Sequence, residues 1–144
     1  MQTNGLTMDR PGEKDRILSL VSKIFLLANI AVYEAFAIGF FLFPARLATW
    51  IGIEIRTTSA LADFRAMYGG LCLGVGVFLL LGVFKKERVQ AGILLSITTA
   101  GGLFLGRICT VLWDGPVNEY IYFSMSTEIV AVVIGVWILK RWNE

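Results

Sequence analysis

The stretch Phe64-Arg65-Ala66-Met67-Tyr68-Gly69-Gly70-Leu71-Cys72-Leu73-Gly74-Val75-Gly76-Val77-Phe78-Leu79-Leu80-Leu81-Gly82-Val83-Phe84 decides how this chain is read. After Arg65 it carries no charge. About 20 apolar residues rising 1.5 Å each cross a hydrocarbon core of about 30 Å. Backbone polar groups in lipid must be satisfied within the segment, and alternation with period two is absent, so the stretch reads as a helix and not as a barrel strand. Three further runs read the same way, at about residues 20–43, 89–112 and 120–140. The expected fold is all-α, a four-transmembrane-helix antiparallel bundle.

Composition agrees. Hydrophobic residues make up 56% of the 144, and the mean hydropathy of +0.71 lies far above that of an ordinary soluble domain. The length allows one domain. A net charge of +2 implies no nucleic-acid partner, and there is no histidine, which removes the commonest metal ligand and general base. Cys72 and Cys109 stand alone and read as small packing residues. Residues 1–16 form a polar arm, expected to be cytoplasmic, ahead of a transmembrane domain over 17–144. The first apolar run is about twice a signal-peptide core and holds Glu34, so it is expected to be retained as a span.

Lysine and arginine set the orientation. Arg10, Lys14, Arg16 and Lys23 precede or open span 1; Lys85, Lys86 and Arg88 join spans 2 and 3; Lys140 and Arg141 close span 4. The span 1–2 connection has only Arg46 and Arg56, and the span 3–4 connection has none. Both termini are therefore expected in the cytoplasm, with Trp50, Trp113 and Tyr120 in the outer aromatic belt and Trp142 in the inner one. Lys85-Lys86-Glu87-Arg88 reads as a tight hairpin, and Asp114-Gly115-Pro116 as turn chemistry. Pro44 to Ile53 is amphipathic and too short to cross. It reads as a short interfacial helix between spans 1 and 2, with a structured loop as the alternative. Asp63 fits a helix N-cap at the start of span 2.

Gly69-Gly70-Leu71-Cys72-Leu73-Gly74 in span 2 is echoed by Gly101-Gly102-Leu103-Phe104-Leu105-Gly106 in span 3. Each holds a Gly-x-x-x-Gly pair, and small residues let helices approach closely in lipid. Depth counting sets Gly70 near Gly106 and Gly74 near Gly102, an expected contact between the two spans.

The chemistry rests on charges inside the spans. Counted from the outer end at about 1.5 Å per residue, Glu34 lies about 13 Å deep, Glu128 about 12 Å and Arg107 about 8 Å, with Arg65 just inside. Such charges are costly, by roughly 2.5–3.5 kcal/mol on insertion scales. Two acids and two bases in one leaflet read as a shared polar site of Glu34, Arg65, Tyr68, Arg107 and Glu128, with Tyr33, Asn29, Ser124 and Thr127 close by. Arginine holds carboxylate or phosphate in a planar fork. Two readings stand: Glu–Arg pairs that lock the helices in register, or a functional pocket.

Phe64-Arg65-Ala66-Met67-Tyr68-Gly69-Gly70 resembles the signature of a bacterial family of small four-helix membrane proteins known as a domain of unknown function. Gly106-Arg107, Asp114-Gly115 and Glu128 fit the same pattern, and the resemblance covers about Leu20 to Trp142. That family is distantly similar to the DoxX-like proteins, some of which are subunits of quinone-linked oxidoreductases and others membrane assembly factors. The resemblance implies a multi-pass protein of the bacterial inner (plasma) membrane and supplies no activity.

Three functions follow as expectations. The first is a binding or accessory protein that holds a lipid or quinone-like molecule, either as a homo-oligomer or within a membrane complex. The second is an isomerase or hydrolase of a lipophilic substrate using Glu34 and Glu128 as acid and base. The third is a small proton-coupled transporter, which the apolar cytoplasmic halves disfavour. No cofactor or metal is called for.

Overall fold

A computed structural model describes residues 12–142. Most of the polar arm expected over 1–16 lies outside the described residues. The described chain is helical, and no strand forms among the described residues. Helix α1 runs Glu13–Leu42, α2 Pro44–Trp50 and α3 Thr58–Phe64. A π-helical turn over Arg65–Gly70 continues into α4, Leu71–Val83. Helices α5, Lys86–Trp113, and α6, Glu119–Trp142, complete the chain. Four helical stretches are long and apolar enough to cross a membrane, α3 to α4 counting as one. All four long apolar runs foreseen in the sequence are present.

Local chemistry sets the ends. Phe43 precedes a proline and is forced out of helical conformation, with φ of −129°, so α1 stops there. Pro44 then opens α2 at a position where its missing N–H costs nothing. Gly52 follows at φ +78°, the left-handed conformation that ends a helix. The expected turn after Asp114 is present, with Gly115 at φ +112°. The N-cap of the second span differs from expectation. Thr57, not Asp63, caps it: its hydroxyl accepts from Ala60 N at 3.1 Å. The helix begins a turn and a half earlier than hydropathy alone marked, which leaves Asp63 inside α3.

Asn118 joins two elements. Its Oδ1 accepts from Ile121 N at 3.0 Å and caps α6, while its Nδ2 donates to Trp50 O at 3.0 Å and ties down the end of α2. The rings of Trp50 and Tyr120 lie 6.4 Å apart beside this link.

Two apolar clusters form. The larger gathers Phe25, Leu26 and Ile30 of α1 with Leu79, Ile93 and Ile138 of the other long helices. The smaller joins Phe40, Ala48 and Phe64 under α2. Buried hydroxyls in the larger are satisfied: Trp142 Nε1 donates to Ser22 Oγ at 2.9 Å, and Ser22 and Ser96 each donate to a backbone carbonyl four residues earlier. Along α1 the level between the two clusters is the level of Glu34.

The expected glycine contact between spans 2 and 3 does not form. A Cβ on Gly74, Gly102 or Gly106 would meet open space, and one on Gly70 would approach only the backbone of its own helix. Close approach occurs elsewhere. Gly135 of α6 sits against Ile97 and Phe25, and Gly76 of α4 against the carboxylate of Glu34. Sequence spacing shows which residues share a helix face, but packing against the other helices sets where that face points.

Candidate functional site

Arg107 and Glu128 form an ion pair. The carboxylate side chain is 10% exposed and the guanidinium side chain 26%. Helical geometry explains the match. Gly135 contacts Ile97; ten residues along α5 from Ile97 is Arg107, and seven back along α6 from Gly135 is Glu128. The two Cα atoms are thus offset axially by about 4.5 Å. Side chains in a helix lean toward its N-terminus. Arg107 leans toward Lys86 and Glu128 toward Glu119, so the two lean into each other and close the gap.

Glu34 and Arg65 are placed the opposite way. Gly69 lies against Phe40 and Phe41, which sets Arg65 level with the end of α1, about ten residues or about 15 Å from Glu34. Glu34 leans toward Glu13 while Arg65 leans toward Thr58, so they diverge. The Glu34 carboxylate rests on Gly76, with Cys72 as an electrostatic neighbour. Glu34 makes no ion pair or hydrogen bond among the described residues. From the contact of Phe25 with Gly135, Glu34 and Glu128 fall within about one helical turn of each other in level. They face different neighbours, α4 for Glu34 and α5 for Glu128.

Arg65 is half-buried, its Nε lacks a hydrogen-bond partner, and it has no carboxylate at ion-pair distance among the described residues. The second oxygen of Glu128, Oε2, is also buried without a hydrogen bond. Tyr68 stands between the two arginines in the chain. Its ring stacks on Phe64 at 4.4 Å and tilts over Phe40 at 5.3 Å. Its hydroxyl and that of Tyr120 are electrostatic neighbours of Arg107.

Of the accessory polar groups, Asn29, Ser124 and Thr127 are spent on carbonyls of their own helices. Tyr33 neighbours Thr99 and Cys72. Among the described residues no three His, Cys, Asp or Glu side chains gather as they would around a metal ion.

The π-turn was not foreseen. Its inserted residue closes i→i+5 bonds, which brings Gly70 nearly over Arg65. In a regular α-helix these two residues would lie about 140° apart around the axis. Such turns are frequent at functional sites. The adjacent Gly69-Gly70, in a stretch otherwise rich in large side chains, was the signal available.

From Gly70 an open apolar groove of about 530 Å³ runs down α4, lined by Gly70, Leu71, Gly74, Val75 and Phe78, with Leu95 of α5 opposite. The two helices meet near their hairpin, where Leu79 lies against Gly92, while Gly74 farther along faces open space.

The family model for a domain of unknown function, DUF4345, matches residues 21–139. The chain belongs to the DUF4345 family. The matched region of this DUF4345 chain takes in nearly all of its four long helices, together with Glu34, Arg65, Tyr68, Arg107 and Glu128. No curated protein and no solved structure matches it.

Proposed function

We propose that this DUF4345 protein binds a small lipophilic molecule in the outer half of a membrane-embedded bundle. The tail lies in the groove along α4, and the polar head sits at the level of Arg65, Tyr68, Arg107 and Glu128. Glu34 closes the inner side. In this reading the four long helices span a bacterial inner membrane antiparallel to one another, both termini are cytoplasmic, and Pro44–Trp50 lies in the outer interface. A distant kinship with the DoxX-like proteins belongs to the same proposal.

The observation that carries the reading is the groove: it is apolar along its length, and Gly70 at its outer end lies five residues from Arg65 across the π-turn. Its volume falls within the roughly 300–1,000 Å³ usual for ligand sites. Lysine and arginine placement supports the orientation. Binding is favoured over acid–base catalysis because Glu34 is turned to α4 and Glu128 is held by Arg107, so the carboxylates do not address one point.

Native mass spectrometry of the gently extracted protein tests this. A retained small lipophile is expected, and Gly74→Leu, which fills the groove, is expected to abolish it. A ligand-free wild type, or equal retention by Gly74→Leu, refutes the reading. A co-extracted protein would mark the chain as an accessory subunit of a membrane complex.

A further inference from the structure

We propose that the lipophile carries an anionic head and that Arg65 is its anchor; this rests on the groove reading above. The argument is one of charge balance. Of the two arginines set in the outer half, Arg107 is already matched by Glu128. Arg65 is not matched. Glu34 lies about 15 Å away and leans from it. Asp63, two residues before, is exposed and makes no ion pair with it. A half-buried guanidinium whose Nε–H has no acceptor bears a desolvation cost that a carboxylate or phosphate would relieve.

Position supplies the second observation. The π-turn carries Arg65 round to the face of Gly70, the outer end of the groove. Were the same sequence wound as a regular α-helix, Arg65 and Gly70 would stand about 140° apart around the axis. The anion therefore comes on a lipid rather than as free phosphate: below the cation the groove offers hydrocarbon contacts only. The planar fork of arginine fits two oxygens of one head group. A neutral quinone would leave this charge unanswered.

The test uses the full-length chain in micelles containing phosphatidylglycerol, phosphatidylethanolamine and a short-chain benzoquinone in equal amounts, read by native mass spectrometry. Wild type is expected to retain phosphatidylglycerol in preference to both others. Arg65→Gln is expected to lower that retention about tenfold or more, the loss of a charge-assisted contact. Arg65→Lys, which keeps charge without the fork, should retain the preference at weaker binding, and Arg46→Gln, outside the groove, should match wild type. Should Arg65→Gln not be recovered monodisperse, the wild-type preference and the Arg65→Lys result decide. Retention of quinone or phosphatidylethanolamine equal to that of phosphatidylglycerol overturns the anionic head while leaving the groove reading intact. An unchanged preference in Arg65→Gln, or loss of it in Arg46→Gln, overturns the assignment to Arg65. Retention of nothing by wild type overturns both. Loss of bound phosphatidylglycerol to added inorganic phosphate would show that the head alone suffices and overturn the role of the tail.

Discussion

Replacing Arg107 by Met leaves the Glu128 carboxylate, 10% exposed, with no cation beside it. Breaking one side of a buried pair typically costs about 3–5 kcal/mol, because the survivor stays desolvated. The guanidinium side chain is 26% exposed, so water already screens part of the attraction. The expected cost is therefore lower, about 2–3 kcal/mol. Glu128→Leu should cost a similar amount by stranding Arg107. The double variant removes both charges and fills the space with apolar atoms. It should return to within about 1 kcal/mol of wild type, since a buried pair and its hydrophobic replacement are often close in stability. The assay is reversible unfolding in mixed micelles, followed by tryptophan fluorescence, for all four corners of the cycle. The coupling energy should exceed about 2 kcal/mol. Additive single effects, or singles within about 0.5 kcal/mol of wild type, would show that the two side chains do not answer each other, and the geometric account of their lean would fall with them.

Two further expectations concern local fit. Gly76→Ala places a methyl group against the far end of the flexible Glu34 side chain, which swings aside, so the cost should stay below about 1 kcal/mol and vanish in the Gly76→Ala/Glu34→Ala double variant; Gly102→Ala, where space is open, should be neutral or slightly stabilising in the same unfolding assay. Thr57→Ala should cost about 0.5–2 kcal/mol through loss of the cap on α3, whereas Asp63→Ala should lie within about 0.5 kcal/mol of wild type; the reverse order would return the cap to Asp63.

The long helices could be read from composition because crossing length and hydropathy are sums over about 20 residues, insensitive to any single side chain. The ends were legible where the backbone has few options, at Pro44 and at Gly115. The cap was not. Thr57 and Asp63 are both good capping residues, and the choice depends on how far α3 extends beyond the apolar run. The glycines show the same boundary more sharply. Gly70, Gly74, Gly102 and Gly106 had the spacing of a helix contact, yet Gly76 and Gly135 take the close approaches.

For the site, the presence of Glu34, Arg65, Arg107 and Glu128 in or at the edge of long apolar runs was legible in the sequence. The pairing of Arg107 with Glu128, and the divergence of Glu34 from Arg65, depend on two things together: the direction each helix runs, and the lean of every side chain toward its own N-terminus. Only the assembled helices combine them. The π-turn was not legible in the sequence either; Gly69 within it lies close to Phe40 and Phe41 of α1. What lies along one helix is written in one dimension and can be summed from the residues; which way a helix is turned is a property of its neighbours, and a rotation of some 100° separates one residue's outlook from the next.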